Sequence, residues 1–154
     1  NEAKGAEFYK TFFLPRVDVA DLPDDQEYPD PKYDFQPITD EQVHRAIRQL
    51  KSFKVPGPDG IPNEVYRATA DVLVPLLGKL FRATFELQYY PERWKVSDTV
   101  VLRKPGKTDY TVAKAYRGVA LLSCLSKILS KCVANILVYH AEKLNMLPNL
   151  QFGG

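Results

Sequence analysis

The stretch KVPGPDGIPNEV, at residues 54–65, restricts the fold more than any other part of the 154-residue sequence. Three prolines and two glycines fall within seven of its positions. Proline fixes φ and moves the preceding residue out of the α region, and Asp-Gly favours a tight turn. A simple connection between helices needs one or two such residues, and this loop has five. The excess favours a backbone held in place for a ligand, with a purely structural connection as the alternative.

A helix is predicted directly before this loop. Thr39-Asp-Glu-Gln42 has the pattern of a capping box, in which each end residue's side chain hydrogen-bonds the other's backbone amide. The apolar residues that follow have the i, i+3, i+4, i+7 spacing of one helix face, and they are Val43, Ala46, Ile47 and Leu50. The other face is basic and leads into the loop through Arg45, Arg48, Lys51 and Lys54.

The remaining pattern predicts helices around a short hairpin. Pro62 can open a short helix, and a longer helix follows and ends at Tyr90-Pro91, with Trp94 packed on it. Residues 96–103 and 116–122 are predicted strands joined by a basic loop, and Ser123 caps a long helix that ends near Asn145. The apolar stripes expected on the two long helices are Leu73, Leu77, Leu80, Phe81, Thr84 and Leu87, and Leu125, Ile128, Leu129, Cys132, Val133, Ile136, Leu137 and His140. The predicted class is α+β, helix-dominated, with a short β-hairpin.

Composition is that of one soluble domain, because 45% of the residues are hydrophobic and 26% are charged. No apolar run is long enough to span a bilayer, so no membrane partner is expected. Cys124 and Cys132 lie eight apart on a predicted helix, too far for a disulfide, which indicates reduced core thiols and an intracellular setting, nuclear or cytoplasmic. His44 and His140 are isolated in sequence, so no metal site is predicted.

Charge divides the chain unevenly. Residues 1–42 carry 4 Lys or Arg against 11 Asp or Glu, whereas residues 43–154 carry 17 against 8. Residues 93–131 alone hold 9 basic and 2 acidic side chains. The pattern is typical of a polyanion-binding body behind an acidic, proline-containing leader at residues 1–37, with ordinary solvated surfaces as the alternative.

Five ordered motifs carry a family resemblance. ITDEQVHRAIRQLKSFKVPGPDGIPNEV resembles the opening of the reverse transcriptase domain of non-LTR (LINE-type) retrotransposons, which typically shows KAPGPDGIPNE in this context. The other motifs follow in the family's order: Tyr90-Pro91-Glu92-x-Trp94-Lys95, the run VVLRKPGK at 100–107, Tyr116-Arg117 with Leu121-Leu122-Ser123, and Gln151-Phe152-Gly153. One departure is Arg117-Gly118-Val119, where the family usually has Arg-Pro-Ile, and loss of that proline frees the backbone beside Arg117.

The resemblance implies an RNA-directed DNA polymerase, of which residues 38–154 would be the N-terminal extension and fingers of a right-hand fold. Such enzymes use RNA template, DNA primer and dNTP, with Mg²⁺ held by palm aspartates, one of them in a Tyr-x-Asp-Asp turn. This sequence contains no Tyr-x-Asp-Asp. We therefore expect an excerpt of a longer polypeptide, with the palm following Gly154, no catalytic residues here, and no activity of the chain alone.

The resemblance also implies two sets of binding residues. Arg117 with Lys107 or Lys104 would contact the dNTP triphosphate, with Lys107 preferred because it lies deeper in the loop. The residues expected to contact template and primer are Arg45, Arg48, Lys51, Lys54, Gly57, Gly60 and Arg103. Two other functions stay open: a non-catalytic nucleic-acid-binding module from a decayed or co-opted retroelement, and a helical interaction domain with no nucleic-acid role.

Overall fold

The computed structural model describes residues 2–13 and 30–147. Within these ranges the chain is rich in helix and has one antiparallel hairpin, so the predicted α+β class is confirmed at that level. The helices are α1 (Glu2–Phe12), α2 (Asp40–Arg48), α3 (Asn63–Ala68), α4 (Ala70–Glu86), α5 (Glu92–Lys95) and α6 (Cys124–Lys143), and the strands are β1 (Ser97–Arg103) and β2 (Tyr116–Leu122). Most of the predicted acidic leader and the Gln151-Phe152-Gly153 motif lie outside the described residues.

The chain divides into two compact units. The first comprises Asn1–Asp30 and Thr99–Ala120, which include α1 and most of the hairpin. The second comprises Pro31–Asp98 and Leu121–Gly154, which include the other helices. The described core cluster belongs to the second unit, where α2, α4 and α6 pack together around residues such as Ile47, Phe81 and Ile128.

Helix α2 begins as its sequence predicts. The Gln42 amide donates to Thr39 Oγ1 at 3.2 Å, and the Thr39 amide donates to Gln42 Oε1 at 2.9 Å. The capping box is therefore confirmed. The apolar face of α2 is confirmed as well, because Val43, Ala46 and Ile47 are buried and Leu50 packs against the core.

Helix α4 faces the core with only part of the predicted stripe, because Leu77 and Phe81 are buried and Leu73 packs against the core. Its buried residues are Ala70, Val74, Leu77, Gly78 and Phe81. The prediction was wrong for Leu80 and Leu87, which are 41% and 73% exposed. At Gly78 an added Cβ would lie 2.1 Å from Asp40 Oδ1, so the side chain of Asp40, the first residue of α2, occupies the space beside this glycine. Leu137 of α6 is likewise exposed, contrary to prediction.

Both long helices end in a left-handed residue. In α4 this residue is Gln88, with a φ of 48°, and in α6 it is Asn145, with a φ of 49°. After α6 the Met146 amide donates to the Ala141 carbonyl at 2.9 Å, which is the bond of a Schellman cap. The end near Asn145 is confirmed, whereas α4 ends at Glu86, earlier than the predicted Tyr90-Pro91. Trp94 packs edge-on against Phe81 as predicted, with ring centroids 6.1 Å apart.

The two cysteines are buried and free, as predicted for reduced core thiols. Burial raises the pKa of the Cys132 thiol to about 11 and raises the pKa of Cys124 above its usual value. Ser123 caps α6 as predicted, since its hydroxyl accepts from the Ser126 amide at 3.2 Å. Among the residues described, none of the helices has the length and apolar character needed to cross a membrane.

Candidate nucleic-acid and nucleotide interface

Helix α3 holds the residues just before the proline loop by its side chains. Asn63 is 5% exposed, its Nδ2 donates to the Lys51 carbonyl at 2.7 Å, and its Oδ1 accepts from the Cys124 thiol at 2.8 Å. One buried amide therefore joins the loop to the first turn of α6. Pro62 precedes α3 as its N-cap residue, one position earlier than the predicted first helical position.

The two glycines of the loop have different roles. Gly57 is buried, and an added Cβ would lie 2.3 Å from the Leu122 carbonyl carbon and 2.5 Å from the Ser123 amide nitrogen. Gly57 was expected to contact template and primer, but its backbone instead packs against the chain itself where α6 begins, so nucleic acid is not needed to explain this glycine. Gly60 is exposed, has a φ of 67°, and donates to the Gly57 carbonyl at 3.0 Å, which closes a tight turn.

The basic residues of α2 and the loop are exposed, but they do not form one cluster. Arg45 lines a groove with α6 residues, among them His140. Arg48 instead lines a pocket of about 440 Å³ with Arg67 of α3 and Asp71 of α4. Lys51 and Lys54 lie in the adjoining loop. In residues 2–13 and 30–147, no acidic side chain forms an ion pair with any of these five cations.

Two residues of this region were missed by sequence reasoning. Arg67 donates a hydrogen bond to the Ser52 hydroxyl, which brings it to the loop although it lies on α3. Phe53 is 93% exposed and has a φ of 55°. Its position between lysines in KSFK was a signal available in the sequence, whereas the contact of Arg67 depends on the tertiary fold.

The Phe53 backbone is fixed by a carboxylate. The Phe53 amide donates to Glu64 Oε1, and this bond is the main reason that the pKa of Glu64 lies below its usual value. The residues just before the proline loop are therefore attached to α3 by three side chains, namely those of Asn63, Glu64 and Arg67.

The hairpin carries the predicted triphosphate contacts. Arg117 is the second residue of β2, and both Arg117 and Lys107 are exposed. Lys104 is half-buried, and its Nζ donates to the Lys114 carbonyl at 3.0 Å. Among the described residues, Arg117 and Lys107 have no side-chain hydrogen-bond or ion-pair partner, so they are better placed than Lys104 to bind a ligand.

Arg103 and Arg117 lie on opposite faces of the hairpin. The Arg103 guanidinium is 5.2 Å from the Tyr110 ring centroid, and the Tyr110 ring packs edge-on against Tyr116 of β2. An added Cβ on Gly118 would lie 3.3 Å from Thr99 Cγ2, which places Thr99 and Gly118 on one face. Because side chains alternate along a strand, Arg103 shares that face and Arg117 does not.

Magnesium would need a cluster of oxygen ligands. In the part of the chain that the structure describes, no three side chains of His, Cys, Asp or Glu lie close enough to hold a metal ion. These residues do not fit a magnesium site.

Comparison with known proteins gives the family. No protein-family model matches the chain. A relative from Drosophila melanogaster, named as a probable RNA-directed DNA polymerase from transposon BS, is 32% identical over 119 residues, which cover 77% of this chain and 13% of the relative. The RNA-directed DNA polymerases from mobile element jockey of Drosophila melanogaster and Drosophila funebris are 31% and 30% identical over 75% and 76% of this chain, and over 13% of each relative.

The chain thus spans about 13% of the length of the curated relatives that it matches. Three polymerases of mobile elements match the same large share of the chain at similar identity. The predicted resemblance is confirmed: over about three quarters of its length, the chain is homologous to a segment of the RNA-directed DNA polymerases of non-LTR retrotransposons.

Proposed function

We propose that this chain is the fingers part of a right-hand RNA-directed DNA polymerase, which binds template and primer and the triphosphate of the incoming dNTP. The observation that carries the proposal is the pair Lys107 and Arg117 on one hairpin, exposed and without an acidic partner in the described residues. Two cations that only kept the surface soluble would not need fixed positions. Phosphate binding does need them, because the cations must be held on a rigid backbone.

Phosphoryl transfer depends mainly on positioning and charge neutralisation. Arg117 offers a planar guanidinium that can bind two phosphate oxygens together, and Lys107 adds a compact point charge. Lys104 takes a positioning part, because its ammonium bonds the Lys114 carbonyl and its amide donates to the Ala115 carbonyl at 2.8 Å. Both bonds brace the base of the loop that presents Lys107.

The template and primer are proposed to lie against the proline loop and the exposed side of α2. Arg48, Lys51 and Lys54 would contact backbone phosphates, which gives affinity without sequence preference. Arg45, on a different side of α2, and Gly60, in the turn, are proposed as further contacts. Arg103 of the hairpin is proposed separately as a nucleic-acid contact. Gly57 is left out, because its backbone packs against Leu122 and Ser123.

The magnesium ions of the parent polymerase are proposed to be held by carboxylates that this chain does not supply. The chain alone should therefore show no primer extension. Nucleotide incorporation by the purified chain that is lost in Arg117→Ala would contradict this expectation.

A nucleotide titration followed by NMR tests the hairpin. Adding dATP to the isotope-labelled chain should shift amide resonances of residues 103–118, and Arg117→Ala or Lys107→Ala should weaken this effect about tenfold or more. Lys114→Ala is a matched control, since the Lys114 side chain is exposed on the same connection and only its carbonyl is used. Equal dATP affinity in Arg117→Ala and Lys114→Ala would reject the triphosphate assignment.

A further inference from the structure

Phe53 is the most exposed large apolar side chain in residues 2–13 and 30–147, at 93%. Its φ of 55° lies in the left-handed region, which a bulky residue rarely adopts. Glycine or asparagine would take this conformation with less strain. The backbone therefore does not require phenylalanine here, and the side chain makes no use of the protein core.

The backbone around Phe53 is held by side chains of α3. The Lys51 carbonyl accepts from buried Asn63 at 2.7 Å, the Ser52 hydroxyl accepts from Arg67, and the Phe53 amide donates to Glu64. Three bonds to one helix fix three successive residues. The ring is thereby presented to solvent on a rigid base, which reduces the entropy lost when a ligand orders it.

The surroundings of the ring are cationic. Lys51 and Lys54 flank it in sequence and are exposed, and the guanidinium of Arg67 reaches the neighbouring Ser52. Arg67 also lines a pocket of about 440 Å³ with Arg48. Two carboxylates lie in the same region, Glu64 bonded to the Phe53 amide and Asp71 in the pocket. Four cations against two acids leave the region positive.

We propose that Phe53 stacks on an unpaired nucleobase while the cations around it contact the adjoining phosphates. An aromatic face among lysines and arginines is the arrangement by which proteins bind single-stranded nucleic acid without sequence preference. A duplex would not use the ring, because its base faces are already stacked. The proposal rests on the nucleic-acid binding proposed above and assigns Phe53 and Arg67 to it.

The test is binding of the full chain to fluorescently labelled 12-nucleotide single strands of RNA and DNA and to the matching duplex. Phe53→Ala should weaken binding of the single strand about 5- to 150-fold, as expected for one lost base stack, and should change duplex binding less than twofold. The RNA and DNA strands show which sugar the site accepts. Tyr89→Ala, which removes another aromatic side chain that is 57% exposed, is the matched control and should bind like the wild type.

Two further variants separate stacking from folding. Phe53→Gly relieves the left-handed strain, so it should unfold at no lower urea concentration than the wild type and still bind as weakly as Phe53→Ala. Phe53→Trp should keep the affinity and show emission quenched by the single strand. The chain's single native tryptophan, Trp94, is 8% exposed, so it should contribute little to this quenching.

The outcomes distinguish this proposal from the one on which it rests. A wild-type chain that binds no nucleic acid would reject both. Steeply salt-dependent binding that Phe53→Ala leaves within twofold would reject stacking alone. Stacking would also be rejected if Phe53→Ala lost the same affinity for single strand and for duplex. If Phe53→Ala lost self-association while its nucleic-acid affinity stayed unchanged, Phe53 would be a protein contact instead.

Discussion

Replacing Gly57 with alanine should destabilise the second unit strongly. The added Cβ would lie 2.3 Å from the Leu122 carbonyl carbon, 2.4 Å from its oxygen and 2.5 Å from the Ser123 nitrogen. Ordinary van der Waals contact begins near 3.4 Å, so the loop or the start of α6 must move by roughly 1 Å. Neither can move freely, because Asn63 bonds Lys51 on one side and Cys124 on the other.

Overpacking a core typically costs about 1–3 kcal/mol, and the cost is higher where backbone rather than a side chain must yield. We therefore expect Gly57→Ala to lower the free energy of unfolding by about 3 kcal/mol or more. That loss is a large part of the 5–15 kcal/mol, roughly, that holds an ordinary domain together. Urea denaturation followed by far-UV circular dichroism measures it.

Gly60→Ala is the matched control, because it adds the same methyl group to the same loop. Nothing lies within 4 Å of the position its Cβ would occupy, and only the φ of 67° is unfavourable. Its cost should be about 1–2 kcal/mol, and Gly60→Asn should cost less because asparagine tolerates this region. If Gly57→Ala were no more destabilising than Gly60→Ala, the packing of the loop on the start of α6 would be refuted.

Three other changes test the remaining contacts. Asn63→Ala should lower the free energy of unfolding by about 1–3 kcal/mol, because it leaves buried partners unsatisfied. The control, Asn135→Ala, loses a 3.4 Å bond to Gln49 and should cost under about 0.5 kcal/mol, so equal urea midpoints for the two variants would contradict the prediction. Burial raises the pKa of Tyr66 to about 12 from 10.0, so stability present below pH 10 should fall as the pH rises toward 12. Tyr66→Phe should show a smaller fall, and an identical pH profile would exclude Tyr66 as the cause. In a longer polymerase that carries this chain, Arg117→Lys should weaken nucleotide use by about 1.5–3 kcal/mol, roughly ten- to a hundredfold, with template binding unchanged. Steady-state kinetics with separate nucleotide and template titrations measures both, and an equal loss for the two would indicate a structural role instead.

Local signals in the sequence were sufficient for most element boundaries. The capping box at Thr39, the Ser123 cap and the end near Asn145 were predicted because each depends on residues within four positions. The buried stripe of α4 was predicted only in part: Leu77 and Phe81 were right and Leu80 was wrong, because a count of large apolar residues gives no weight to buried Gly78. The Asp40 side chain of α2 packs beside that glycine, and this contact exists only in the packed pair of helices.

In the candidate site, too, local features could be predicted from the sequence, whereas features that depend on the tertiary fold could not. Exposure of Arg48, Lys51, Lys107 and Arg117 followed from their charge and position. The separation of Arg45 from Arg48 did not follow, since the two lie on one basic face by sequence and line different cavities only once α3, α4 and α6 are in place. Arg67 reaches Ser52 across fifteen positions, a distance over which no local pattern applies.

The proline loop can now be divided by what each part does. Gly57 permits packing against α6, Pro58, Asp59 and Gly60 form a tight turn, and Pro62 precedes α3 as its N-cap residue. The rigidity of KVPGPDGIP is therefore explained by docking the loop within the chain, which was the structural alternative.

Docking of the proline loop within the chain does not explain residues 51–54, which lead into the loop. Phe53 and Lys54 are exposed side chains on a backbone that α3 holds in place. A loop that only connected two helices would gain stability from a glycine at position 53, because glycine adopts a positive φ without strain. Phenylalanine there opposes folding locally, and residues that do so are most often kept for a ligand. We therefore expect the stacking contact of Phe53 and the flanking lysine contacts to lie at residues 51–54, with the prolines and glycines of the following loop holding them in position.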